Sequence, residues 1–111
     1  MEIKEWLQKQ SELDQFIIES KGLQSLDSKV RLTNTMLALI VEVSELANEV
    51  RTFKHWSAKP MSERDIILAE FSDCMHFVAS IANQLGFTSE DIEKAYNAKH
   101  EVNIARQKGG Y

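Results

Sequence analysis

The stretch KVRLTNTMLALIVEVSELANEVR, residues 29–51, decides the fold. It contains neither glycine nor proline, and Leu32, Met36, Leu39, Ile40, Val43, Leu46 and Val50 recur at helical spacing. That pattern predicts an amphipathic helix from about Lys29 to Arg51 with one broad apolar stripe. Beside the stripe stand Glu42 and Glu45, three residues apart and therefore on one helical face, with Glu49 extending the row by a turn.

The breakers of the chain, Gly22, Pro60, Gly86 and the Gly109-Gly110 pair, bound three further helical segments. In the first, Ile3, Trp6, Leu7, Gln10, Leu13 and Ile17 form a mostly apolar face. The third is expected to start with Ser62 as cap and Asp65 near its first turn, and to carry Ile66, Leu68, Phe71, Met75, Val78 and Leu85 to a stop at Gly86. The fourth is capped by Thr88 or Ser89, has Glu90 and Asp91 at its positive start, and ends with Arg106, Gln107 and Lys108. The expected fold is all-α, a bundle of four main helices, and residues 1–111 form a single domain.

The formal charge of −4 argues against general affinity for a nucleic-acid backbone, which depends on many cationic phosphate contacts. No apolar run approaches a membrane span, and the lone Cys74 cannot form an internal disulfide. A cytoplasmic protein without membrane or nucleic-acid partners is the expectation. A helical chain this short buries only part of its apolar surface, so it is expected to associate.

The third segment repeats the acidic spacing of the second, with Glu70-x-x-Asp73 answering Glu42-x-x-Glu45. Either pair alone is the ordinary solvated face of a helix. Two matching pairs on adjacent long helices call for cations when packing brings them together. Magnesium suits an all-oxygen site, because it binds a few carboxylates, keeps waters and bridges to substrate phosphates. A carboxylate-bridged di-iron bundle needs Glu-x-x-His on two helices, and only Asp73-x-x-His76 has a comparable form.

The spacing of Glu42-x-x-Glu45 and Glu70-x-x-Asp73 resembles the signature of the all-α nucleotide pyrophosphohydrolases, which include MazG-like enzymes and the dimeric dUTPases. The stretch from Leu46 to Ser57 and the run Asp73-Cys-Met-His-Phe77 are similar to the short bacterial and phage form of the dimeric dUTPases. So is the ending from Tyr96 to Tyr111, which carries that family's Tyr-x-x-Lys-x-x-x-Asn-x-x-Arg-Gln-x-x-Gly-Tyr pattern. The resemblance spans essentially the whole chain. It implies that Glu42, Glu45, Glu70 and Asp73 hold magnesium, and that Lys99, Asn103, Arg106 and Tyr111 hold the substrate's phosphates. Independently, Lys99, Asn103 and Arg106 fall at intervals of four and three, on one face of the fourth helix.

The implied reaction is hydrolysis of dUTP to dUMP and pyrophosphate by a magnesium-activated water, with attack favoured at the β-phosphorus, and the implied assembly is a homodimer. Glu42, which begins the first acidic row, is the candidate to orient or deprotonate that water. Stacking on the base requires an aromatic face, and reading uracil's edge requires donors and acceptors, for which Gln10, Trp56, His76 and Phe77 are the candidates. Two alternatives stand beside this: a MazG-like or dCTP-directed pyrophosphohydrolase, and a non-catalytic helical metal-binding or interaction module.

Overall fold

The computed structural model describes residues 1–110, which form four helices: α1 (Ile3–Lys21), α2 (Ser28–Val50), α3 (Arg64–Gln84) and α4 (Ser89–Lys108). The all-α expectation holds, and α2 lies within a residue of its expected bounds. Each boundary has a local cause. Gly22 ends α1 in the left-handed conformation, φ 65°, with its N–H donating to the carbonyl of Ile18. Asp27 caps α2 by accepting from the amides of Lys29 and Val30 at 2.9 and 3.2 Å. Thr88 caps α4 in a reciprocal box, its hydroxyl accepting from the Asp91 amide while the Asp91 carboxylate accepts from the Thr88 amide.

The expected cap of α3 is a correction. Glu63 occupies that position without a side-chain cap bond. Ser62 instead donates its hydroxyl to the Glu49 carboxylate, and its amide to the Glu49 carbonyl at 3.0 Å, closing the connection between α2 and α3. The other end of that connection is pinned by Arg51, which adopts φ 65° and reaches across to the Ser57 hydroxyl at 2.9 Å and the Lys59 carbonyl at 3.3 Å.

Helix α3 is the centre of the fold, packed against α2 on one side and α1 on the other, while the α4 backbone approaches α1 alone among the described residues. The buried core is small: Leu7 of α1 against Ala79 and Ala82 of α3, flanked by Ile3, Trp6 and Ile92. The stripe expected on α2 splits. Leu32, Leu39, Leu46 and Val50 are half-buried, whereas Met36, Ile40 and Val43 are exposed. Alternating with the first three at heptad spacing are Thr35, Glu42 and Glu49, so the seam toward α3 contains a column of polar side chains. On α1 the inward face likewise continues through Gln10 and Asp14, and Leu13 and Ile17 are exposed. No helix among the described residues is long and apolar enough to cross a membrane.

Candidate active site

Glu42 and Glu70 lie on facing positions of the α2–α3 seam, and Glu45 stands one turn beyond Glu42 at the exposed margin. One carboxylate oxygen from each of the three lies within 4.8 Å of the others. The Oε2 atoms of Glu42 and Glu70 are closed off from solvent and accept no hydrogen bond. Burial therefore pushes both carboxyls above their ordinary range, reinforced for Glu42 by Glu45, Asp73 and Glu70, and for Glu70 by Glu45, Asp73 and Glu49. Asp73 is exposed and stands outside the converging trio, although its charge acts on both. Burial first, and then the charges of Glu42, Asp73 and Glu70, push the neighbouring Cys74 thiol up, which leaves it a poor nucleophile.

Shielded acceptors without a donor are costly unless something positive meets them. Three hard oxygens converging on one point fit a hard divalent cation with open positions for water or phosphate. His76 takes no part in that cluster, so the donor set does not match the di-iron pattern.

His76 turns instead toward α1. Its Nδ1 is 2.6 Å from Oε1 of the buried Gln10, whose Nε2 donates to Asp14 at 2.9 Å. Asp14 also accepts from the Ser80 hydroxyl at 2.7 Å and pairs with Arg31 at 3.6 Å. A carboxylate can only accept, so the Gln10 amide must turn its NH2 to Asp14 and its oxygen to His76. The proton of a neutral His76 then sits on Nδ1, which leaves Nε2 as an acceptor. Gln10 and His76 line a cavity of about 270 Å3, together with Trp6 and Met75.

The other base candidates are elsewhere. Trp56 is 67% exposed on the α2–α3 connection, packed edge-on against Phe53 and His55, and Phe77 is half-buried on the α2 side of α3. Neither lines that cavity. Lys99, Asn103 and Arg106 share a face of α4 and are exposed, while Tyr111 lies outside the described residues. Sequence reasoning passed over Asp14, Arg31 and Ser80. The available signal was that Asp14 follows Gln10 by one helical turn, on the same face.

No curated protein matches the chain. A family model described as dUTPase matches residues 2–87 and 79–111, which together span nearly the full length. With that match on an all-helical fold in which Glu42 and Glu45 of α2 converge with Glu70 of α3, the chain belongs to the dUTPase family.

Proposed function

We propose that the protein is a magnesium-dependent dUTP diphosphatase, active as a homodimer, which converts dUTP to dUMP and pyrophosphate. The observation that carries this reading is the cluster of Glu42, Glu45 and Glu70, with two shielded oxygens lacking a donor, in a chain of the dUTPase family. Glu42, Glu45, Glu70 and Asp73 hold the metal. Magnesium, when bound, supplies neutralisation of phosphate charge and activation of a water. Glu42, which begins the first acidic row, is the group suited to orient that water and take its proton. Lys99, Asn103, Arg106 and Tyr111 hold the phosphates by charge-assisted hydrogen bonds.

Preference for uracil over cytosine follows from the His76 tautomer. With Nδ1–H committed to Gln10, Nε2 offers an acceptor, which matches the N3–H of uracil and opposes the N3 lone pair of cytosine. A site that leaves such a pair unsatisfied discriminates strongly.

The homodimer is supported by surface area. The chain exposes 8653 Å2, whereas a compact monomer of 12.7 kDa exposes about 6,200 Å2. The excess of about 2,400 Å2 per chain falls in the range of obligate dimer interfaces. The lone Cys74 and the net charge of −4 fit a cytoplasmic protein that binds nucleotides rather than nucleic acid.

The test is incubation of purified protein and magnesium with each deoxynucleoside triphosphate, measuring monophosphate and pyrophosphate. Preferential dUTP turnover is expected. Equal or greater dCTP turnover moves the assignment to a dCTP-directed enzyme, and no turnover of any nucleotide removes the enzymatic reading.

A further inference from the structure

A polar network joins α1, α2 and α3, and each hydrogen bond in it has a fixed direction. It starts at the backbone carbonyl of Arg31, which can only accept, and to which the Thr35 hydroxyl donates at 2.8 Å. With its proton committed there, Thr35 accepts from Gln84 Nε2 at 2.9 Å, and the same Nε2 donates to the Ser80 hydroxyl at 3.1 Å. The Ser80 proton is left for Asp14 Oδ2 at 2.7 Å, beside which the Arg31 guanidinium stands at 3.6 Å. The other oxygen, Asp14 Oδ1, accepts from Gln10 Nε2 at 2.9 Å, and Gln10 Oε1 accepts from His76 Nδ1 at 2.6 Å.

Burial keeps water from replacing these partners. Gln10 and Ser80 are 5% and 4% exposed, and the Asp14 side chain is 16% exposed. The His76 ring, by contrast, is exposed, and with Gln10 it lines the cavity of about 270 Å3. A direction fixed in the interior therefore reaches the cavity through His76.

Asp14 is where that direction is decided. A carboxylate accepts at both oxygens, so the Gln10 amide has to turn its NH2 toward it. An asparagine has the same shape with one accepting end and one donating end. Ser80 and Arg31 both donate at Oδ2, so the amide oxygen of an asparagine stays with them and its NH2 faces Gln10. Donor then meets donor, and Gln10 turns its amide over. Its NH2 now faces His76 Nδ1, which has to accept, and the imidazole proton moves to Nε2. An Nε2–H opposes the N3–H of uracil and matches the N3 lone pair of cytosine.

We infer that Asp14, which lines no part of that cavity, sets the choice of base: held by Ser80 and Arg31, it fixes the Gln10 amide and so keeps Nε2 of His76 an acceptor. Asp14 is a positioning residue, acting through Gln10 and His76. The inference rests on the dUTP diphosphatase reading, with His76 facing the base.

Asp14→Asn tests it with two readouts. The first is kcat/KM for dUTP and for dCTP with magnesium. The ratio of dUTP to dCTP is expected to fall by about 100-fold, with dUTP declining and dCTP rising, because the unsatisfied pair moves from one base to the other. The second is the nitrogen NMR spectrum of histidine-labelled protein at about pH 8.5, where imidazole is neutral, with His76 assigned by its loss in His76→Gln. Wild type should carry the proton on Nδ1 and Asp14→Asn on Nε2. Asp14→Ala, which removes the acceptor without supplying a donor, replaces it if Asp14→Asn fails to fold by circular dichroism; its ratio is expected to fall toward one. Equal loss of both activities, with the ratio within about threefold of wild type, shows a merely structural role and overturns the proposal. So does a wild-type His76 protonated on Nε2, or a tautomer unchanged in Asp14→Asn. A wild-type protein that turns over no nucleotide removes the diphosphatase reading instead, and the tautomer switch then judges the relay alone: its presence supports the relay and its absence overturns it.

Discussion

Replacing Leu37 by alanine tests whether the outward face of α2 is an interface. Leu37 is 58% exposed in the single chain, on the side of α2 opposite the seam residue Leu39, and with Ala38, Val41 and Glu42 it lines an open, mostly apolar groove of about 370 Å3. Complete burial of a leucine is worth about 1.5–3 kcal/mol, so covering the exposed fraction contributes about 1.5 kcal/mol per copy. A two-fold dimer contains the contact twice, about 3 kcal/mol in all, which corresponds to a rise of about 100-fold in the dimer dissociation constant when the side chain is truncated. Sedimentation at a series of protein concentrations reads that constant directly. Circular dichroism of the variant should be unchanged at concentrations where the dimer persists, because the side chain makes little contact within its own chain. A wild-type protein that sediments as a 12.7 kDa monomer at tens of micromolar, or a Leu37→Ala dissociation constant within about threefold of wild type, refutes the reasoning.

Glu45→Gln should abolish dUTP turnover and weaken magnesium binding measured by calorimetry, while leaving the helical signal unchanged; near-normal turnover removes Glu45 from the metal site. The raised carboxyls of Glu42 and Glu70 predict a pH effect in chelator-treated protein. A carboxyl raised in the fold holds its proton more tightly than in the unfolded chain, so its stabilising contribution is complete below the ordinary value of 4.5 and is lost as pH climbs through the raised range. Magnesium replaces those protons, so it should raise the melting midpoint more at about pH 8 than at about pH 5, and an equal shift at both contradicts the cluster. The depressed Asp91 acts with the opposite sign, its contribution being lost only as pH falls below 3.8. Thr88→Ala, which opens the capping box of α4, should cost about 1 kcal/mol in urea unfolding, whereas a loss near zero shows that α4 is held by other means.

Helix number, type and approximate bounds were legible because Gly22 and Gly86 stop helices by backbone geometry and the Thr88 region carries capping chemistry, whereas the Asp27 cap of α2 emerged only in the structure. The acidic cluster was legible because a spacing of three fixes a shared face on any helix. The inward face of α2 was not, since the stripe reading selects every apolar residue. Heptad packing against α3 selected Leu32, Leu39 and Leu46 and left Met36, Ile40 and Val43 exposed. Serine favours the cap position, but that position falls on Glu63, one residue beyond Ser62, and the Ser62 hydroxyl donates instead to the Glu49 carboxylate in a tertiary bond. The pairing of Gln10 with His76 spans most of the chain, and no local periodicity carries such a contact. The separation of α4 from α2 and α3 was equally hidden, because helical spacing puts Lys99, Asn103 and Arg106 on one face without saying which surface meets that face.

The most direct test of the central claim is the formation of dUMP and pyrophosphate from dUTP by the purified protein, with magnesium added and with magnesium removed by chelator. Equal amounts of the two products with the metal, and none without it, are the expected result. Absence of dUMP in magnesium, or undiminished turnover in chelator, contradicts it.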